Sequence, residues 1–526
     1  MSEDSVKEDA TPRLLRDSSL YFIGNVLGRI VGFLMIPFYA GHLTTSQYGV
    51  LSLVELATTI TAIVFGLQSI GQTLTRIYYE QDSELARRRV ASTAMIASVA
   101  GAIVVATIAC LFARQIAAAV NLADQVALLR VSFIAMAFAT IAELALVYQR
   151  MRARARFFLV FSTFTLFTTL ALNIWFIGFL NLGVWGFVFS KLIVAGAGSV
   201  FLLGVVTRDI GVAVVGRYAL ALARFGAPLT LAGVCFFTIH FSDRLFLAHV
   251  SRALVGVYSL AYQFAMLLSA LVGDSFNKSW DVSFYHYAED EGWQARFAHI
   301  GGWLVFVLAA GAMGIALFGR DIIRVMAPQS YTPPELLLPM LVFAYFFREL
   351  GDFFRNMLLI DIGSGLVGRI ALGGAAVNLA LNWVFISSPL GLGIWGAAIA
   401  TFITWVLYCG VCWVAAWRLH RISFAVRPLM RLLALGALIM LAQSLARPEG
   451  RFVAMAADFG WWSAFMAASL FVYLKSAQRN EMVVLVRKGG GGGGGPAGGG
   501  GGAPPPPRNS QPKPKPHASP RSSRRQ

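Results

Sequence analysis

Between Arg156 and Lys191 the chain carries no charged side chain. Crossing a hydrocarbon core takes about 20 mostly apolar residues, and stretches of that length recur along the sequence. Composition agrees, at 57% hydrophobic and 13% charged residues, against roughly 45–50% and about 25% in soluble domains. So little polar surface cannot coat a globule of this length, and lipid is the expected solvent. The chain is therefore expected to be an all-α polytopic membrane protein.

The apolar runs predict fourteen spans, near 18–41, 48–75, 90–112, 124–148, 157–180, 183–206, 224–249, 254–278, 298–319, 335–360, 368–388, 393–417, 429–446 and 459–476. Lys and Arg are distributed unevenly over the connections. One alternate set holds eighteen, and the other only Arg114, Arg252, Arg320, Arg324, Arg447 and Arg451. The positive-inside rule then puts both termini in the cytoplasm of a cell whose inner membrane the chain crosses. Residues 1–17 lack the basic n-region and cleavage site of a signal peptide, so the first helix is expected to stay in the mature protein. The net charge of +17 comes from these loops and from the tail, which argues against nucleic acid as a partner. The tail, 487–526, is Gly-rich, then Pro-rich and basic, and such a composition buries no core.

An internal repeat divides the rest. His42–Leu53 (HLTTSQYGVLSL) aligns with His249–Leu260 (HVSRALVGVYSL), an offset of 207, with five of twelve positions identical. Leu172-Asn173 and the following LGVWG (Leu182–Gly186) align with Leu381-Asn382 and LGIWG (Leu392–Gly396), at offsets of 209 and 210. Two six-helix lobes are expected, 18–206 and 224–417, joined by a cytoplasmic linker at 207–223, with two additional helices in 429–476. Six helices per lobe makes the repeat parallel, and transport sites lie characteristically between such halves.

The second copy also spells G-x-G-x-x-G, as Gly391-Leu392-Gly393-Ile394-Trp395-Gly396. As a dinucleotide site it would need a preceding strand and an acid about 20 residues on, but no acid follows before Glu449. It reads instead as a turn shared by the two repeats. Cys409-x-x-Cys412 lies within a span, away from any second ligand pair, and reads as structural. H-E-x-x-H, G-x-S-x-G and P-loop patterns are absent from the sequence. Neither catalysis nor a cofactor is expected.

The segments IPFYAGHLTTSQYGVLSLVE (36–55), FSDRLFLAHVSRALVGVYSLAY (241–262) and LNWVFISSPLGLGIWGAAIA (381–400) resemble the polysaccharide-biosynthesis branch of the multidrug/oligosaccharidyl-lipid/polysaccharide exporter superfamily, which includes Wzx-type O-antigen and exopolysaccharide flippases. The resemblance runs over roughly 18–480. It implies a MATE-like two-lobed fold and movement of a polyprenyl-pyrophosphate-linked oligosaccharide between leaflets, with polysaccharide polymerase machinery as a further partner. Trp280-Asp281-Val282 departs from it, since a proline is expected near there.

Ionisable groups at membrane depth cost roughly 2.5–3.5 kcal/mol on insertion scales and usually face protein or a wet cavity. Arg29, one turn beyond Asn25, is a candidate for the phosphates of such a lipid, because arginine stays charged and binds phosphate bidentately; an ion pair or amide anchor is the alternative. Lys191 is a second cationic candidate. Arg348, Asp352 and Arg355 share one helical stripe beside Glu349, either lining the pathway or forming a static pair. Asp243-Arg244 matches the family's acidic-basic pair and reads as a clamp between helices. Asp274 and Lys278 stand at an inner helix end, as a gate or as a solvated terminus. Glu55 and Glu143 are candidates for proton or sodium coupling. A drug/cation antiporter of the same superfamily is the competing function. A glycan-processing membrane enzyme is the third, disfavoured by short outer connections.

Overall fold

The computed structural model describes residues 27–28, 30–274, 276–277, 280, 292–359, 364–387, 390–422, 424, 426–448 and 450–473. The segments 1–17 and 487–526 lie outside the described residues, as do Asn25, Arg29 and Lys278.

Among the described residues the regular structure is helical. In chain order the helices are α1 (Ile30–His42), α2 (Thr45–Val64), α3 (Ile70–Tyr79), α4 (Glu84–Leu111), α5 (Ala113–Ala119), α6 (Val126–Met151), α7 (Ala155–Phe179) and α8 (Val184–Ile210). They continue as α9 (Gly216–Val250), α10 (Arg252–Gly273), α11 (Trp293–Met326), α12 (Leu337–Leu358), α13 (Gly365–Ser387), α14 (Ile394–His420), α15 (Val426–Leu445) and α16 (Arg451–Val472). Twelve of them are long and apolar enough to span. The 22-residue α12 lies where the tenth span was expected but carries four charges, and α1 covers the described end of the first expected segment. Helices α15 and α16 pack on each other and on α11.

The expected single span over 48–75 is two helices. Helix α2 opens with a capping box between Thr44 and Gln47 and stops at Gly66, which has φ +74°. There the Gly66 amide donates to Ile63 (2.9 Å) and the Leu67 amide to Ala62 (2.9 Å), a Schellman stop that glycine permits. Helix α3 restarts at Ile70 after Ser69 has donated its hydroxyl to the Gly66 carbonyl. At the joint between the repeats, irregular chain is confined to the five positions 211–215, because α8 runs to Ile210 and α9 begins at Gly216.

The sequence repeat is a geometric one. Helices α2 and α10 cross at equivalent residues: Ser52 and Ser259, 207 apart, share a hydrogen bond of 2.8 Å. A Cβ on Gly49 would overlap the carbonyl oxygen of Arg252, and one on Gly256 that of Thr45. Helices α7 and α13 both end in a π-helical turn, Ile174–Phe179 and Trp383–Ser387. The reversal that follows uses positive φ at Asn181 and Gly391 (+53° and +58°), then at Gly183 and Gly393 (+54° and +53°). Asparagine tolerates that conformation better than most residues, which explains how it replaces the first glycine of the motif. Gly396 lies so near Phe385 that a Cβ would strike its carbonyl. The glycines of GLGIWG thus serve a tight helix reversal.

Trp280, where a proline was expected, is buried between Phe276, Phe297 and Phe353, with ring centroids 4.7–5.5 Å apart.

Candidate functional site

Helices α2, α6, α7 and α8, with Gly28 ahead of α1, enclose a cavity of about 650 Å³. Glu55 projects into it from α2, Glu143 from α6 and Lys191 from α8. The Lys191 ammonium lies 2.6 Å from Glu55 Oε1, and the two side chains remain 48% and 46% exposed. The same ammonium sits 4.6 Å from the centroid of Phe187, one turn earlier on α8. Lys191 and Glu55, predicted separately as cargo ligand and coupling acid, are therefore partners. Glu143 and Gln68 also line an adjoining cavity of about 450 Å³ that extends to Arg150 and Tyr79. Among the described lining residues of the larger cavity Lys191 is the only Lys or Arg.

The stripe on α12 forms a compact network. Arg348 Nη1 donates to Glu349 Oε1 (2.8 Å) and to Ser269 Oγ (2.9 Å), while Nη2 lies 3.7 Å from Asp352 Oδ2. Arg355 reaches the other Asp352 oxygen at 3.0 Å, where the Tyr408 hydroxyl also donates (2.9 Å). Ser269 donates to Glu349. Gly273, in the π-helical turn of α10, leaves room for that carboxylate; a Cβ there would collide with it. Two guanidiniums thus balance two buried carboxylates. The Arg348 side chain remains 23% exposed, and its guanidinium lies over the rings of Tyr345 (5.6 Å) and Trp405 (5.9 Å).

Asp243 and Arg244 separate. Asp243, 1% exposed, accepts hydrogen bonds from Tyr258 of α10, Thr401 of α14 (3.2 Å) and the Arg244 amide (2.8 Å). Arg244 reaches the first repeat, donating to Ser52 Oγ (3.3 Å) and lying over the rings of Phe241 and Tyr262. Asp274 follows the π-helical turn of α10; its expected partner Lys278 is outside the described residues.

The repeats are joined most closely at the start of α2 and α10. Arg252 donates to Asp124 (2.9 Å) and to the Asn121 carbonyl (2.9 Å), which holds the Asp124 carboxyl well below the usual carboxylate range. Tyr331, in the α11–α12 connection, donates to the Leu43 carbonyl (2.8 Å) and packs edge-on to Tyr48.

A further cavity of about 1040 Å³ was not foreseen from the sequence. It lies between the α11–α12 and α15–α16 connections and is lined by Arg320, Asp321, Arg324, Glu335 and Arg447. Buried Asp321 accepts from Arg324 (3.3 Å) and Arg447. Asp458 accepts from Gln443 (2.8 Å) and lies 3.7 Å from Arg447. This network ties α11 to the two additional helices. These charges stand far apart in the sequence, on α11, on α16 and in the two connections, and only their tertiary pairing gathers them.

Two parallel repeats of membrane-length helices, with ionisable groups gathered at internal cavities, define a polytopic membrane protein of transporter architecture. The chain belongs to the family of polysaccharide biosynthesis proteins, whose sequence profile matches residues 29–333. It is similar in fold to the lipid II flippase MurJ in an inward closed conformation, with a TM-score of 0.65 at 11% identity, covering 87% of this chain and 99% of that one. An inward-facing multidrug resistance MATE family transporter of the MOP superfamily gives a TM-score of 0.58 at 15% identity, covering 74% and 93%. The MATE transporter VcmN of Vibrio cholerae gives 0.53 at 13% identity, covering 79% and 98%. No curated protein matches the sequence.

Proposed function

We propose that this protein moves a polyprenyl-pyrophosphate-linked oligosaccharide from the inner to the outer leaflet of the cytoplasmic membrane, by alternating access between its two repeats. Family membership supplies the polysaccharide context. The observation that carries the mechanism is the Lys191–Glu55 pair, half exposed in a cavity at the depth of the spans. An exposed ion pair is weak enough to exchange partners, and a basic group at that depth usually serves a pathway. Arg348, partly exposed over an aromatic wall, is the corresponding cation of the second repeat. Arg29 and Asn25 complete the set of proposed phosphate contacts. Asp243 and Arg244 act as clamps, Asp352 and Arg355 as the counter-charged stripe, and Asp274 with Lys278 as an inner gate.

In cells lacking their own flippase, the wild-type protein is expected to restore display of the surface glycan, and Lys191→Ala to lower it at least about tenfold at equal expression. Two acids beside one lysine also suit cation export. Export of cationic dyes without lipid translocation would establish that reading instead.

The loop charges support a cytoplasmic location for both termini. A cysteine at Ser46 is then expected to react with an impermeant reagent added outside, and one at Arg152 only after the membrane is opened. The reverse pattern would invert the topology.

A further inference from the structure

Lys191 and Glu55 are close, accessible and enclosed by one cavity, and this has a consequence for what enters with the cargo. With Glu143 the described titratable groups of the cavity lining are two carboxyls and one amine. Lys191 is the only described Lys or Arg in its lining, so an incoming diphosphate that binds there competes directly with Glu55. We propose that Lys191 is a shared cation: it leaves Glu55 for the diphosphate on loading, and Glu55 then takes up one proton from water. This rests on the diphosphate-cargo reading above and adds a linked proton to it.

The surroundings of Glu55 favour a proton over a replacement side chain. From α6 the facing group is Glu143, a like charge, and from α7 only the hydroxyls of Ser162, Thr165 and Thr169. Tyr39 of α1 and Tyr48 of α2 are within electrostatic reach. The Tyr39 hydroxyl accepts from Asn173 (2.8 Å) and the Tyr48 hydroxyl donates to Gln263 (3.3 Å), and neither bonds Glu55. Arg244 of α9 is engaged one turn earlier on α2, at Ser52. Once the ammonium moves, the cavity holds the diphosphate and the carboxylates of Glu55 and Glu143, and protonation neutralises one of these three anionic groups. The proton comes from the aqueous phase and returns to it when the diphosphate leaves and Lys191 re-forms the pair. Linkage is reciprocal, so a cargo that loads a proton is itself bound more tightly as pH falls.

The test is calorimetric titration of farnesyl diphosphate into the full chain in lipid nanodiscs, in buffers of different ionisation heat. Glu55→Gln keeps the shape and the hydrogen-bond acceptor, and subtracts the ligand's own titration. Wild type is expected to take up close to one proton more per ligand than Glu55→Gln. Over the linked range its affinity should fall by up to about tenfold per pH unit. Glu55→Gln should bind at least as tightly, with only the pH dependence of the ligand. Lys191→Ala should lose at least about tenfold in affinity. Equal proton counts in wild type and Glu55→Gln, with normal binding and melting, overturn the exchange alone. Full affinity in Lys191→Ala removes the shared cation. Failure of wild type to bind farnesyl diphosphate at all overturns the cargo reading and the exchange together.

Discussion

Gly256→Ala is expected to abolish most transport while leaving a full-length, inserted protein. At the crossing of α2 and α10 a Cβ on Gly256 would overlap the Thr45 carbonyl and sit 3.2 Å from the Gly49 amide nitrogen. These are backbone atoms, so no rotamer change relieves the clash and the helices must move apart. Overpacking of this kind costs about 1–3 kcal/mol. The damage falls on the end where Arg252, Asp124 and Tyr331 join the repeats, so it biases the protein away from the conformation described here. Two measurements check this. The melting temperature should fall, and a cysteine replacing the buried Ser52 should gain reactivity in the Gly256→Ala background. Gly410→Ala is the control, because nothing lies within 4 Å of a Cβ at that position. Native melting and transport by Gly256→Ala would mean that close crossing is not required.

The repeat behind this crossing was legible in the sequence, although the contact itself was not. The matched segments at 42–53 and 249–260 identified Gly49 with Gly256 and Ser52 with Ser259, because backbone contact across a two-fold relation constrains both partners alike. The turn at 181–186 and 391–396 was legible for a similar reason: positive φ restricts residue choice, so the pattern survives in both copies. The stripe on α12 followed from helical spacing, since Arg348, Asp352 and Arg355 lie within two turns of one helix. Tertiary pairing left no comparable trace. Lys191 and Glu55 are 136 residues apart, and nothing local to either names the other. Asp243 and Arg244, adjacent in sequence, suggest one clamp, but successive helical side chains point about 100° apart and these two serve different contacts. The break at Gly66 leaves no mark in the pattern because no charged residue falls between Glu55 and Arg76, so the run reads as one span where the helix is interrupted.

Arg348→Ala is expected to be the most destabilising single change in the charged stripe. It leaves Glu349 and Asp352, 3% and 5% exposed, with Arg355 as the remaining guanidinium of the network. Removing one partner of a buried ion pair typically costs about 3–5 kcal/mol, whereas replacing both with groups of similar shape is often nearly neutral. The double variant Arg348→Met/Glu349→Gln keeps the volume and restores balance, with Arg355 facing Asp352. It should therefore recover most of the lost stability, measured as thermal melting in detergent. Transport separates the two possible roles of the guanidinium. If Arg348 only stabilises α12, the double variant should carry cargo nearly as well as wild type. If Arg348 also binds the diphosphate, the double variant should melt near wild type yet translocate at least about tenfold less. The second outcome is expected, because the Arg348 side chain stays partly exposed although both of its carboxylate partners are buried. Recovery of both melting and transport would confine Arg348 to a structural role and leave Lys191 as the principal described cation for the cargo.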